Sequence, residues 1–576
     1  MAESLITQHI DLWTSAIEAK STAGRGSKNK FDLYGIKKLR ELILELAVRG
    51  KLVPQDPTDE PASVLLGKIA AEKAQLIQEK KIKNTIDLAI ITDDETFIEL
   101  PKQWQWVRLG YLFNSIQSGG TPSKRESKYW SGDIPWASVK DLGKSLYISK
   151  TEDYITQEGL NSGSKLADKG DILICTRMGL GKIAIAEMPI AFNQDLKAVK
   201  LSSCVDVNHF LNTYRTLKIK GTGTTVEGIK QEQLLNYVIG LPPLSEQHRI
   251  VAKVDELMAL CDQLEQQTLT SIDAHATLVE TLLETLTNSV DAAELEQNWA
   301  RISEHFDTLF TTEQSIDTLK QTILQLAVMG KLVRQDPTDE PASVLLEKIA
   351  AEKAQLIKDK KIKKEKPLPP ISDDEKPFEL PQGWEWCRLQ DAIDVRDGTH
   401  DSPKNETGEN TYPLVTSKDF VNGDINFDGA KRISQKDHAE ISKRSLVEKW
   451  DILFSMIGGN IGNQVMVKND RSFSIKNLAL FKYFSRNLTY PFYVELFTKH
   501  LAMSLQDNAS GGAQPFVSLG VLRNLVFALP PFREQEKIVS KVNELLSLCE
   551  QLKNYLQSTQ QTQLYLTDAI VDEALS

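Results

Sequence analysis

Apolar residues recur at intervals of three and four along Ile36, Leu39, Leu42, Ile43, Leu46 and Ala47, and Gly50 follows them. That spacing lines one face of a helix, and a glycine just past it supplies the left-handed residue on which helices commonly end. The same pattern and stop return at Leu319, Ile323, Leu326, Ala327 and Gly330. After each helix a proline-punctuated stretch (QDPTDEPASVLL) places Pro61 or Pro341 to open a second helix, which runs into a basic tract at residues 80–83 or 360–364. A longer periodic segment starts near Ser245. Ile250, Val254, Leu257, Cys261 and Leu264 alternate spacings of four and three, as a coiled-coil seam requires, and Leu278, Leu282 and Leu286 prolong it less regularly. At ~1.5 Å per residue, about 40 residues of helix span about 60 Å.

These segments are written twice. Residues 51–83 return at 331–363 with four of 33 positions changed, and residues 241–264 return at 529–552. Near-identical frames therefore bracket two blocks that look little alike, as suits two recognition heads on one scaffold. Each block opens alike, with Leu100, Pro101, Trp104, Trp106, Arg108 and Leu109 matching Leu380, Pro381, Trp384, Trp386, Arg388 and Leu389. These tryptophans read as packing anchors. Within the blocks, glycine-rich segments and β-prone runs at residues 171–175 and 451–455 predict a small twisted sheet. A short helix is expected near the N-terminus, followed at residues 24–30 (GRGSKNK) by a mobile joint.

Charge sharpens the division. The chain carries a net −11, yet residues 101–240 carry +5 and residues 381–528 are neutral, so the frames and linkers hold the remaining −16. Relatively basic blocks suit a polyanion, and acidic frames suit other partners. The five cysteines are scattered with no CxxC pair, which indicates neither a disulfide framework nor a zinc site, and Cys261 and Cys549 fall on apolar helical faces. No apolar run reaches membrane-spanning length and no secretory pattern opens the chain, so a cytoplasmic protein is expected. Catalytic motifs are equally hard to find. The turn at residues 529–532 (LPPF) lacks the polar first residue with which an amino-methyltransferase accepts the target amine, and residues 179–182 (GLGK) lack the flanking glycine and hydroxyl of a phosphate loop.

The doubled order of frames and blocks resembles the specificity (S) subunit of type I restriction-modification systems. Particular motifs are similar to it as well: residues 118–142 (SGGTPSKRESKYWSGDIPWASVKDL), 170–182 (GDILICTRMGLGK) and 193–200 (NQDLKAVK) in the first block, and 396–403 (RDGTHDSP), 412–420 (YPLVTSKDF) and 450–463 (WDILFSMIGGNIGN) in the second. The resemblance implies an α+β fold: two mixed α/β target-recognition domains separated by long antiparallel coiled-coil helices, with a pseudo-twofold internal repeat. The expected segments are an N-terminal extension without an assigned role (1–35), frame A (36–99), a first recognition domain (100–240), a central helical region (241–379), a second recognition domain (380–528) and a C-terminal helical region (529–576). It further implies a non-catalytic subunit that binds no cofactor itself and reads a split, asymmetric site in double-stranded DNA. Two modification (methyltransferase) subunits using S-adenosylmethionine, and restriction (helicase-nuclease) subunits using ATP and Mg, would dock on the helices. The other reading is a helical adaptor whose blocks bind protein or glycan.

Duplex DNA is gripped through phosphates by Lys, Arg, Ser, Thr and backbone amides, and read at base edges by Arg, Lys, Asn and Gln. The loop after Ser118 offers Thr121, Ser123, Lys124 and Arg125, with two glycines for close approach to DNA. Its counterpart in the second block offers Thr399, His400, Ser402 and Lys404. Arg177 and Lys182, and in the second block Asn460 and Asn463, flank glycines after a predicted strand. Lys140 and Lys418 complete the candidate DNA-binding set, with pairing to the aspartate that follows each as their alternative.

Overall fold

The computed structural model describes residues 6–19, 31–82, 88–96, 98–221, 227–508 and 516–576; the joint expected at residues 24–30 lies outside them. The chain forms two compact units, Met1–Ser271 with Thr559–Ser576, and Ile272–Ser558. The frames build helices α1 (Ile10–Ser15), α2 (Tyr34–Val48), α3 (Ala62–Gln78), α4 (Leu244–Asn288), α5 (Ala292–Glu304), α6 (Phe306–Leu309), α7 (Glu313–Val328), α8 (Ala342–Lys358) and α9 (Phe532–Leu575). Among the described residues, no helix is long and apolar enough to cross a membrane.

In the first unit, the apolar stripe of α2 (Ile36, Leu39, Ile43) shares a core with Ile250, Val254, Leu257 and Cys261 of α4 and with Ile570 and Val571 at the end of α9. Polar contacts fix the directions. Arg40 donates to Glu265 at 2.7 Å while Gln55, further along the chain, donates to Glu246 at 2.7 Å, so α2 runs antiparallel to α4. Tyr34 donates to Asp568 at 2.8 Å and Arg49 to the Leu575 carbonyl at 3.0 Å, so the end of α9 follows α2 and opposes α4. Gly50 closes α2 at φ +67°, as its place in the pattern predicts.

The second unit repeats this scheme. Lys553 pairs with Asp317 at 3.1 Å and Gln557 donates to Glu313 at 2.9 Å, while Lys320 meets Glu550, so α7 opposes α9. Here the far end of α4 enters the core through Val279, Leu283 and Leu286. The expected seam residue Leu278 is instead 50% exposed. From Ile272 onward the helix packs among the elements of the second unit, and these neighbours select the buried face.

The repeat also reaches further back than the frames suggest. Ile6–Trp13 reads ITQHIDLW and Ile302–Leu309 reads ISEHFDTL. His9 (φ −118°, ψ 24°) and His305 (φ −109°, ψ 20°) start α1 and α6 with the same backbone conformation. Each histidine carbonyl accepts the amide four residues on, from Trp13 or Leu309, at 3.0 Å. Ile6 and Ile302 are 2% and 1% exposed, and Trp13 and Leu309 0% and 5%. The N-terminal segment is thus the first copy of the helix that precedes α7, separated from α2 by extra residues whose ends pair as short strands, Glu18–Ala19 with Phe31–Asp32.

Each variable block folds around two small sheets, both mixed in the first block and one antiparallel, one mixed in the second. The first contains β1 (Gln105–Arg108), β2 (Phe113–Ser118), β3 (Trp130–Ala137), β4 (Tyr147–Ile148), β5 (Asp153–Ile155), β6 (Lys165–Ala167), β7 (Ile172–Cys175), β8 (Ile183–Ala186), β9 (Ile190–Phe192), β10 (Leu196–Leu201) and β11 (Val238–Leu241). One sheet has the order β2-β10-β7-β8-β4, the other β5-β3-β9-β6. The second block contains β12 (Glu385–Arg388), β13 (Asp394–Asp397), β14 (Thr411–Val415), β15 (Lys431–Ser434), β16 (Ile452–Ser455), β17 (Gln464–Met466), β18 (Ser474–Ile475), β19 (Leu478–Lys482) and β20 (Val526–Leu529), in the orders β13-β19-β16-β17 and β15-β14-β18. The class is α+β, two mixed domains on long helices. Each block is closed where its opening strand meets its exit strand, β1 against β11 and β12 against β20.

The tryptophans pack at these joints as read from sequence. Trp104 and Trp384 are 3% and 6% exposed, and their indole N–H groups donate at 3.0 Å to Glu246 and Glu534, which open the long helices. Burial pushes both carboxyls above their ordinary range, against the hydrogen bonds that lower them. Beside them Arg108 grips Glu95, and Arg388 grips Glu375, with both guanidinium arms; these bonds hold each carboxyl down at about 2.

Candidate nucleic-acid interface

In the first block, four connections meet at one edge of the sheets: after β2, after β3, between β7 and β8, and between β9 and β10. Gly119 and Gly120 donate to the carbonyls of Leu196 (3.4 Å) and Phe192 (2.9 Å), Asn193 to Ala137 (3.0 Å), Thr176 to Asp195 (2.9 Å) and Cys175 to Lys182 (3.0 Å). The second block repeats the wiring. Gly398 and Thr399 donate to Leu478 (2.9 Å) and Ile475 (3.0 Å), Lys476 to Val415 (2.9 Å) and Ser455 to Asn463 (2.8 Å). Arg177 bridges to Gly228 as Ile457 does to Phe516. Backbone bonds therefore match Thr121 with His400, Lys140 with Lys418, Arg177 with Ile457, Lys182 with Asn463 and Gln194 with Asn477, although the side chains differ widely.

The glycines of the first loops have a different reason from the one expected. A Cβ on Gly119 would stand 2.1 Å from the Asn193 carbonyl, one on Gly120 1.8 Å from that of Gly163, and one on Gly398 2.4 Å from that of Ile475. They let the loop lie against the protein's own strands, and the approach they permit is internal.

What the loops expose is mostly polar, with Met178, 66% exposed, as an apolar exception in the first block. Ser123, Lys124, Arg125, Lys140, Arg177 and Lys182 are exposed in the first block, and His400, Ser402, Lys404, Lys418, Asn460 and Asn463 in the second, while Thr121 and Thr399 are half-buried. Two tryptophans of β3 hold the first loop: Trp136 donates to the Gly120 carbonyl at 3.2 Å and Trp130 to that of Ser123 at 3.1 Å. At its tip the Thr121 hydroxyl donates to the Gln194 side chain. In the second block a charged network does this work. Asp397, 7% exposed in its side chain, pairs with Arg444 and lies 3.1 Å from His400 Nε2, whose Nδ1 lies 3.1 Å from the Asn477 amide oxygen.

Lys140 and Lys418 stand in matching turns. Asp141 accepts from the Ser138 amide at 2.8 Å and Asp419 from the Thr416 amide at 2.7 Å. These aspartates, the alternative partners considered from sequence, are drawn into their own turns. In the second block a cleft of about 470 Å³ brings Ser402, Lys418 and Asn460 together with Lys431, Lys476 and Asn477. The last three were missed from sequence. Lys476 and Asn477 follow strand residues whose registry only the pairing of β14 with β18 reveals, and Lys431 approaches through β15. Gln194, also missed, lies within the NQDLKAVK motif. Among the described residues, no group of His, Cys, Asp and Glu is arranged to hold a metal ion.

Two blocks with one backbone plan, each ending in a polar loop edge, define a class of paired recognition domains. Residues 101–274 and 381–559 match the family model described as Type I restriction modification DNA specificity domain, and the chain belongs to that family of specificity subunits. It is 42% identical to the type I restriction enzyme EcoAI specificity subunit and 41% identical to the EcoEI specificity subunit, both from Escherichia coli and both matched over the full length of each chain. Among solved structures, the HsdS subunit from Thermoanaerobacter tengcongensis is similar over 84% of this chain and 98% of its own, with a TM-score of 0.40 and 18% identity.

Proposed function

We propose that this specificity subunit binds a bipartite, asymmetric site in double-stranded DNA, one half per variable block and with an unread spacer between, and docks two methyltransferase subunits and the restriction subunits on its helices in the cytoplasm. The observation that carries the reading is the matched loop edge, where the same backbone bonds present different polar side chains in the two blocks. Thr121, Ser123, Lys124, Arg125, Lys140, Arg177 and Lys182 face the first half-site. Thr399, His400, Ser402, Lys404, Lys418, Asn460 and Asn463 face the second. The chain contributes recognition and assembly; S-adenosylmethionine, ATP and Mg belong to the partner subunits.

Exchanging residues 101–240 for the corresponding block of a relative tests the division. Methylome sequencing of cells carrying the hybrid and its partners is expected to show one half of the methylated sequence replaced and the other kept. A change in both halves refutes one block per half. Absence of DNA protection by the purified complex at low salt instead favours an adaptor for another ligand.

A further inference from the structure

The matched loops separate two kinds of DNA contact, given the reading of the blocks as duplex-DNA readers. Residues 138–141 (Ser-Val-Lys-Asp) and 416–419 (Thr-Ser-Lys-Asp) form the same turn in both blocks. In each, the aspartate accepts from the amide and the hydroxyl of the first residue, at 2.8 and 3.1 Å for Asp141 and at 2.7 and 2.9 Å for Asp419. The first-block aspartate also takes the Glu152 amide at 2.9 Å. With those carboxylates engaged by the backbone, an exposed lysine stands at the tip of each turn. The neighbouring hairpin behaves differently. Arg177 occupies the position of Ile457 and Lys182 that of Asn463, although the backbone bonds are shared. The Arg177 side chain is 54% exposed and is tethered 3.9 Å from Asp195.

Phosphates are alike all along a duplex, whereas base edges differ from one sequence to another. Two blocks that read different words share what grips phosphate and diverge in what reads bases. We infer that Lys140 and Lys418 are matching phosphate clamps, one per half-site, and that Arg177 is a base-reading residue of the first block. Its planar fork fits the O6 and N7 acceptors of a guanine in the major groove. Lysine suits the other role because a point charge on a flexible stem neutralises a phosphate without selecting a base.

The test uses the full chain assembled with its methyltransferase subunits, the cognate duplex and a panel carrying each single base-pair change, titrated over a range of salt. Lys140→Ala and Lys418→Ala are each expected to weaken binding to every duplex by one common factor and to lower the slope of log affinity against log salt by about 0.9. Lys140→Arg and Lys418→Arg are expected to restore that slope, which separates lost charge from a disturbed turn. Arg177→Ala is expected to flatten discrimination at one base pair of the first half-site by about tenfold or more and to leave the second half-site unchanged. An altered base preference or an unchanged salt slope in the lysine variants overturns the clamps. A uniform loss across the panel for Arg177→Ala overturns base reading. Failure of the unaltered complex to bind any duplex overturns the DNA reading itself, a result distinct from both.

Discussion

The two variable blocks share their wiring and differ in their fastenings. Each joins to its frame through a tryptophan on a buried glutamate and an arginine on a second glutamate, and these contacts agree residue for residue. Beyond the joint, the first block secures its loop with neutral indole donors from Trp130 and Trp136, the second with the Asp397, Arg444 and His400 network. A matched ion pair shows the same divergence. Lys482 and Asp451, 10% and 1% exposed, meet at 2.6 Å, whereas their counterparts Lys200 and Asp171 stand 3.9 Å apart with Lys200 nearly half exposed. Burial moves the Asp451 carboxyl up to about 6 despite that lysine. The comparison teaches that the joint is fixed by what both blocks must do, while the means of holding a loop is free to vary with what the loop presents.

The sharpest way to break the shared part is at its anchors. Trp104→Ala and Trp384→Ala are each expected to cost about 3–5 kcal/mol, and by similar amounts, because each empties a buried site and leaves a buried carboxylate with its glutamine partner, Gln55 or Gln335, but without its indole donor. Thermal or denaturant unfolding of the full chain checks this, and a large inequality between the two would deny that the joints are equivalent. Lys482→Met is expected to destabilise the second block by about 3 kcal/mol by taking from buried Asp451 the cation that hydrogen-bonds it and leaving only the cation of Arg486 at 3.7 Å. Lys200→Met in the first is expected to cost less than about 1 kcal/mol, since its hydrogen-bonded partner Asp168 stands in water and the buried Asp171 keeps the Asp168 amide as a donor.

Acid sharpens the comparison next. Glu95 and Glu375 are depressed to about 2 in the folded chain. The stability they confer is present above the unfolded carboxyl value of about 4.3 and is lost as pH falls toward 2. Glu95→Gln and Glu375→Gln are expected to remove pH dependence in that window to the same degree, as read from unfolding midpoints across pH. The smallest effect is expected at Glu246→Gln and Glu534→Gln. An amide oxygen still accepts from the tryptophan, at position 246 the Gln55 amide turns its oxygen toward the new NH2, and loss of a buried charge offsets the weaker bonds, so stability near neutrality changes by less than about 1 kcal/mol in either direction.

Sequence periodicity alone placed α2 and α7, whose apolar stripes end in glycine at a left-handed position, and the first half of α4, whose seam alternates spacings of four and three. The doubled frames likewise announced the paired blocks, and the opening tryptophans their anchors. The N-terminal copy of the repeat went unread since eight residues with three identities carry little weight until His9 and His305 are seen to share a backbone conformation. Leu278 misled because Leu278, Leu282 and Leu286 share a helix face in sequence, whereas the packing partners in the second unit bury Val279, Leu283 and Leu286.

What the chain determined by itself is local and repeated: helix faces, their stops, two copies of one frame and the residue types able to meet DNA. Tertiary structure decided which candidates stand at equivalent places, bringing Lys431, Lys476 and Asn477 beside Lys418 and turning the loop glycines toward the protein's own carbonyls. The reason is physical. Periodicity reports which side of an element is buried, whereas the meeting of loops depends on strand registers closed by backbone bonds between residues far apart in the chain, and these leave no period behind.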